Sequence, residues 1–282
     1  MIMTLPILDN HVHLEPTRGR NVEAVLDFQR KGGTHLIISH LPYHEVRIES
    51  AEDYRRSFDI TISLKDRVSK DTGVRAHATV GPYPVELIGL QKRHGLAHAK
   101  EIMIDAMGIA AEYVADGRAL AIGEVGRPHF DVPPEVMDAS NDILAHGMML
   151  ARKVGCAIVL HTESTSPEGM KELGEMADRV GLPRERVVKH YCPPMVLPEE
   201  NHGLMPSVLA GREAVVVALS KGTRFMMETD FLDDPRRPGA VLAITTVPKR
   251  TLGMIEKGLM SEEQAHVIHS DNPRRTYGQG FS

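Results

Sequence analysis

Apolar and polar positions along this chain alternate between two periods. Short apolar runs that suit buried strands are followed by longer stretches in which apolar residues recur every three or four positions, as on one face of a helix. The first run, residues 5–8, gives way to Asp9, His11 and His13 at every second position, which on a strand would share a face. Val22, Val25, Leu26 and Gln29 then mark a helix stopped by Gly32-Gly33, and 34–40 predicts a second strand. Tyr54, Phe58 and Ile62 mark the next helix, and 74–80 a third strand that ends at Gly81-Pro82-Tyr83-Pro84. A helical region over 85–115 divides around Gly95, and 119–125 predicts a fourth strand. Beyond a proline-rich loop at 127–134, Ile143, Leu144, Met148 and Ala151 give a helix that Gly155 ends, and 156–160 a fifth strand closed by His161. Ser166 and Pro167 can cap a helix striped by Met170, Leu173, Ala177 and Val180, and 186–190 predicts a sixth strand. Residues 192–206 carry four prolines and read as a shaped loop. The apolar runs 214–219 and 224–228 predict the last two strands, and Ser261-x-x-Gln264 a capping box for a C-terminal helix.

Eight strands alternating with helices predict a parallel α/β sheet. Residues 1–282 fit one (β/α)8 TIM-barrel domain, with a doubly wound open sheet as the alternative. Composition fills in the interior. Aromatics are scarce at 4%, Trp is absent and Met reaches 15, so the core must be aliphatic and thioether. The formal net charge of −5 argues against nonspecific coating of nucleic acid. Two cysteines, Cys156 and Cys192, give neither a disulfide framework nor a cysteine-rich zinc site. No basic leader or long apolar segment is visible, so the expectation is a soluble cytoplasmic protein with no membrane contact.

Candidate chemistry collects at strand ends. The 15 histidines would give about 0.8 His-x-His pairs by chance, so His11-x-His13 alone says little. In a barrel, however, all strands open at one mouth. There the first strand ends in His11 and His13, the fourth in Glu124, the fifth in His161, the sixth in His190 and the eighth in Asp230. Four imidazoles and two carboxylates exceed the needs of one tetrahedral ion and suit two divalent ions sharing a carboxylate, whether Zn, Mn or Mg. No Walker loop, dinucleotide-binding glycine fingerprint or Gly-x-Ser-x-Gly elbow competes with that reading.

These residues also carry a resemblance. D-N-H-V-H-L at the start, A-I-G-E-V-G at 121–126, I-V-L-H ending at His161, V-V-K-H ending at His190, M-E-T-D ending at Asp230 and N-P-R-R from Asn272 resemble, in order, the motifs of the TatD-like metal-dependent hydrolases of the amidohydrolase superfamily. The likeness is to the archaeal-type branch. The resemblance implies that His11, His13 and Asp230 hold one metal, that His161 and His190 hold the other, and that Glu124 bridges them. It implies phosphodiester hydrolysis, commonly as a deoxyribonuclease, with Asp230 and Glu124 catalytic. The residues just past the ligands depart from the family pattern: Arg127-Pro128-His129, Thr162-Glu163, Tyr191-Cys192-Pro193 and Phe231-Leu232. Those departures fall where substrate is touched. A small phosphodiester or a nucleic-acid strand end is therefore the expected substrate, and a C–N, ester or lactone hydrolase on the same barrel is the alternative. Arg127, His129 and Tyr83 are candidates for substrate contact, Arg127 equally for a salt bridge. His40 and His44 could also reach substrate, against an ordinary place in a surface loop.

Overall fold

The computed structural model describes residues 5–237, 240–278 and 280–281. Its strands are β1 (Leu8–His13), β2 (His35–Ser39), β3 (Arg75–Val80), β4 (Ala121–Gly126), β5 (Ala157–His161), β6 (Val187–Cys192), β7 (Met205–Leu209), β8 (Met226–Glu228) and β9 (Phe231–Leu232). Each pairs in parallel with its sequence neighbour from β1 to β8, and β9 pairs with β1. β8 and β9 are two halves of one eighth barrel strand: the first lies on β7, the second on β1. Thr229 and Asp230 span the break, where the Thr229 N–H donates to Asp9 Oδ1 and the Asp230 N–H to His11 O, each at 3.0 Å. The result is a closed α/β barrel of the (β/α)8 type, not the open sheet.

Helices occupy the connections. α1 (Val22–Arg30), α2 (Asp53–Asp71), α3 (Glu86–His94), α4 (Leu96–Ala115), α5 (Pro134–Val154) and α6 (Pro167–Val180) follow the expected stripes. Gly95 separates α3 from α4, and the Ser166 hydroxyl accepts the Gly169 N–H at the start of α6. Short α7 (Pro198–Asn201) precedes β7, and α8 (Arg212–Lys221) precedes β8. α9 (Thr246–Glu256), α10 (Glu262–His266, with the Ser261–Gln264 capping box) and α11 (Asn272–Tyr277) complete the chain. Among the described residues no helix is long and apolar enough to cross a membrane.

One strand assignment is corrected. The run 214–219 is not a strand but the middle of α8. Only Val215 and Ala218 of it are buried, at helical spacing, while Val216 and Val217 face solvent. The seventh strand, β7, begins at the end of the 192–206 segment and runs on to Leu209, with Pro206 inside it, a residue usually confined to edge strands or strand starts.

The core has two layers. Val159, Val188, Met205 and Met226 fill the barrel interior, and Leu8, Ile37 and Phe281 pack at its floor. A larger aliphatic layer that includes Ile122, Ile158, Leu160 and Val187 joins the barrel to its helices. Interior positions alternate with period two, so the strand residues one turn of the pleat above this interior layer point into the mouth. Three strands lose their regular register at the polar positions: β1 between Asp9 and Val12, β4 between Gly123 and Val125, and β6 between Lys189 and Cys192. Such irregularities re-aim side chains at barrel rims. Gly126 shows how close the strands run here, because a Cβ on it would stand 2.1 Å from His161 O.

Candidate metal centre

β1 delivers His11 and His13 side by side, with their Nε2 atoms 3.2 Å apart. Each ring is oriented from behind. His13 Nδ1 lies 3.0 Å from Ser39 O, which accepts its N–H, and His11 Nδ1 lies 3.1 Å from Ser39 Oγ. A ring that donates through Nδ1 presents a lone pair at Nε2, the state a metal requires. Glu124 stands across from both: its Oε2 is 3.6 Å from His11 Nε2 and its Oε1 3.6 Å from His13 Nε2.

The other side of Glu124 faces β5 and β6. His161 Nδ1 is 3.1 Å from Glu124 Oε2, and His190 Nε2 is 3.6 Å from the same oxygen. Asp230 Oδ1 closes the ring at 3.4 Å from His13 Nε2 and 4.0 Å from His190 Nε2. Asp230 sits at φ 48°, a left-handed conformation in the gap between β8 and β9, which turns its carboxylate toward the mouth. All six residues named from the sequence are thus brought together. Two triads of ligand atoms, His11/His13/Glu124 and Glu124/His161/His190, each close enough for one ion, share Glu124. Imidazole and carboxylate suit divalent transition metals.

The electrostatics follow from burial and this crowding. Burial pushes the Glu124 carboxyl up, but the imidazoles of His161, His13 and His11 overturn that and hold it well below the usual carboxylate range. Burial drives His11 well down, helped by the neighbouring His190. Burial would also lower His190, yet Glu228, Asp230 and Glu124 raise it to about 9.

Several contributors carry no signal in the apolar pattern. Glu228, fully buried, places Oε1 2.8 Å from His190 Nδ1, accepts the Tyr191 N–H at 2.8 Å through the same oxygen, and accepts the Ser207 hydroxyl on Oε2. Asp9 accepts the Thr229 hydroxyl at 2.7 Å and stitches β1 to the break in the eighth strand; burial pushes it up to about 8 against those hydrogen bonds. Period two from Glu228 to Asp230 was the available clue to the first, and period two from Asp9 to His11 to the second.

The suggested substrate contacts divide. Tyr83 and His129 both stand over His161: the Tyr83 hydroxyl is 3.4 Å and His129 Nδ1 2.9 Å from His161 Nε2. Arg127 is buried and engaged, with NH1 2.9 Å from Glu172 and NH2 3.2 Å from Glu163, which is the salt-bridge alternative. His40 is not a surface loop residue. It is buried against Phe58 and 3.1 Å from Thr61 Oγ1. His44 is exposed beside Glu15 and Glu45. Burial raises the Cys192 thiol to about 12, so it offers no thiolate.

A family model described as TatD related DNase matches residues 8–278. An uncharacterized protein of Methanocaldococcus jannaschii is 42% identical over 281 residues, covering 98% of this chain and 97% of its own. Among solved structures, a TatD-like protein of Archaeoglobus fulgidus superposes with a TM-score of 0.64 at 18% identity, over 95% of this chain and 99% of that one. The phosphotriesterase homology protein of Escherichia coli, solved with phosphate in its active site, gives 0.65 at 15% identity over 98% and 99% of the two chains. At those identities the superpositions speak for the barrel alone.

Proposed function

The chain belongs to the TatD-related DNase family of metal-dependent hydrolases, and on that premise we propose that it is a two-metal phosphodiesterase acting on a small phosphodiester or an exposed nucleic-acid strand end. The observation that carries the reading is Glu124, a buried carboxylate common to two of the donor triads that meet at the mouth. The donor set fits two divalent ions: His11, His13 and Asp230 would hold one, His161 and His190 the other, and Glu124 both. When bound, such ions supply Lewis acidity toward phosphoryl oxygens and make a nearby water acidic.

The remaining work falls to the chain's own groups. Asp230 is the carboxylate most open to the mouth, 14% exposed against 4% for Glu124, so it is the group placed to take the proton of the attacking water. Asp230 is also tied through its main chain to His11 O, which fixes its carboxylate against β1. Tyr83 and His129, poised over His161, can donate to a phosphoryl oxygen on the β5 side. Arg127 acts one step back by holding Glu163 in place. Because the donors are recessed at strand ends and the chain carries −5, an exposed strand end enters more readily than the middle of a duplex.

The test is turnover of bis-p-nitrophenyl phosphate and of end-labelled single-stranded DNA with Mg²⁺, Mn²⁺ and Zn²⁺ supplied separately. Phosphodiester cleavage with at least one metal, progressing from strand ends, is expected. Silence on every phosphodiester beside clear lactone or amide hydrolysis would overturn it.

A further inference from the structure

Beside the six metal-facing residues lies a second feature, of which the chemistry above uses His129 but neither Lys189 nor Tyr191. A cavity of about 370 Å³, within the about 300–1,000 Å³ of small-molecule sites, is lined by His129, Thr162, Glu163, Ser164, Lys189 and Tyr191 and shares His161, His190 and Asp230 with the metal centre. His129, Thr162, Glu163 and Tyr191 of its wall are positions where the sequence departs from the family pattern. Of the twelve Phe and Tyr residues only two are exposed, Tyr191 at 50% and Phe130 at 44%. Tyr191 lines this cavity, and Phe130 packs on its His129, with ring centres 5.2 Å apart. Tyr191 is no loose surface ring. It holds a left-handed φ of 51°, and Glu228 pins its N–H. The same carboxylate orients His190, so wall and metal ligand are set by one group.

The polar atoms of this cavity are incompletely satisfied. Lys189 is 1% exposed, yet its ammonium reaches only His190 O, at 2.5 Å, so two of its three donors lack an acceptor among the described residues. Glu163 engages Arg127 through Oε1, while its Oε2 is buried with no partner. The Glu163 side chain is 41% exposed and Lys189 is buried, so a ligand entering the cavity meets an ammonium with spare donors beside a carboxylate oxygen with no protein partner. The ligand that does so has an edge acceptor beside an edge donor and a flat face to lie on Tyr191.

We propose that this cavity is a nucleobase subsite, in which the base next to the scissile phosphate stacks on Tyr191 with its edge between Glu163 and Lys189. This rests on the phosphodiesterase reading and narrows it to substrates that carry a nucleobase. All common bases offer a donor beside an acceptor, so the subsite selects for the presence of a base and not for its identity.

The experiment compares adenosine 5′-monophosphate with ribose 5-phosphate by calorimetry, on metal-free and metal-loaded protein. The base should tighten binding about 5- to 150-fold, the range for one base stacked on an aromatic side chain. Tyr191→Ala should collapse that ratio toward one, Tyr191→Phe should keep it, and Lys189→Met and Glu163→Gln should each reduce it. Equal affinity for the two ligands in the wild type overturns the subsite, as does a ratio that survives Tyr191→Ala. Phosphodiester turnover with no base preference sinks the subsite alone. A Tyr191-dependent base preference without phosphodiester turnover sinks the phosphodiesterase reading and leaves the subsite standing.

Discussion

Replacing Glu228 by Gln tests whether the groups behind the imidazoles set the strength of the metal centre. Glu228 is wholly buried and makes three contacts, to His190 Nδ1, the Tyr191 N–H and the Ser207 hydroxyl. A Leu there would leave three buried polar groups unpaired, at about 1–3 kcal/mol each, and would confuse unfolding with lost affinity. Gln preserves the shape: its carbonyl can still accept from Tyr191, and its amide can donate to Ser207. What disappears is the negative charge facing His190. Loss of such a partner costs roughly 10–100-fold in metal affinity, or about 1.4–2.7 kcal/mol at about 1.36 kcal/mol per tenfold. The pH at which this is read matters. With His190 raised to about 9, the wild type must shed a proton before that ring can bind a cation at neutral pH. Removing Glu228 takes away the largest contribution raising it and so eases that competition. The deficit should therefore be largest above about pH 9, where the ring is neutral in both proteins, and should shrink toward pH 7. The assay is competition with a chromogenic chelator at both pH values, with circular dichroism to verify the fold. A folded variant with wild-type affinity at both would refute the reasoning.

Three other outcomes follow from the same geometry. Glu124→Gln should lower metal content and activity together, because one carboxylate serves both triads; unchanged stoichiometry by elemental analysis would argue against bridging. Asp230→Asn should lower turnover at least about a hundredfold, the lower end for a lost general base, with the protein folded and loaded; full activity would exclude the role. Burial holds His269 down to about 4, with Nδ1 against the Leu8 main chain and Nε2 2.8 Å from Thr251 Oγ1. A histidine depressed in the fold contributes stability that is complete above its unfolded value of about 6.5 and is lost as pH falls toward 4. His269→Gln should therefore gain on the wild type by on the order of 2 kcal/mol between pH 7 and 4.5, read from urea midpoints; parallel curves would refute it.

The parts of this molecule legible in the sequence were those where apolar period and polar terminus coincide. His161 and His190 each close an apolar run, so their strands and their chemistry were read together. β7 was hidden because Pro206 sits inside it, and α8 was mistaken because Val215, Val216 and Val217 favour a strand locally. Tertiary burial overrides that preference, since only Val215 of the three finds the core. Glu228 escaped notice because an acidic residue one pleat before a ligand carries no mark of what stands behind it. Its role appears only when β6 and β7 are folded beside β8. Arg127 was ambiguous for the complementary reason: its partners Glu163 and Glu172 are 36 and 45 positions away.

The broken eighth strand has a bearing on how the chain is made. β1 leaves the ribosome well before the strand that closes the barrel on it, because one of its edges pairs with Phe231 and Leu232, more than 200 positions later. At about 5–20 residues per second that edge waits roughly 10–40 s for its partner. During that time the row of amides from Val12 onward is open to any passing strand. Asp9, whose carboxylate receives the Thr229 N–H and hydroxyl when the seam finally closes, puts a charged side chain at that edge. The side chain that later stitches the seam thus also makes the waiting edge a poorer template for aggregation.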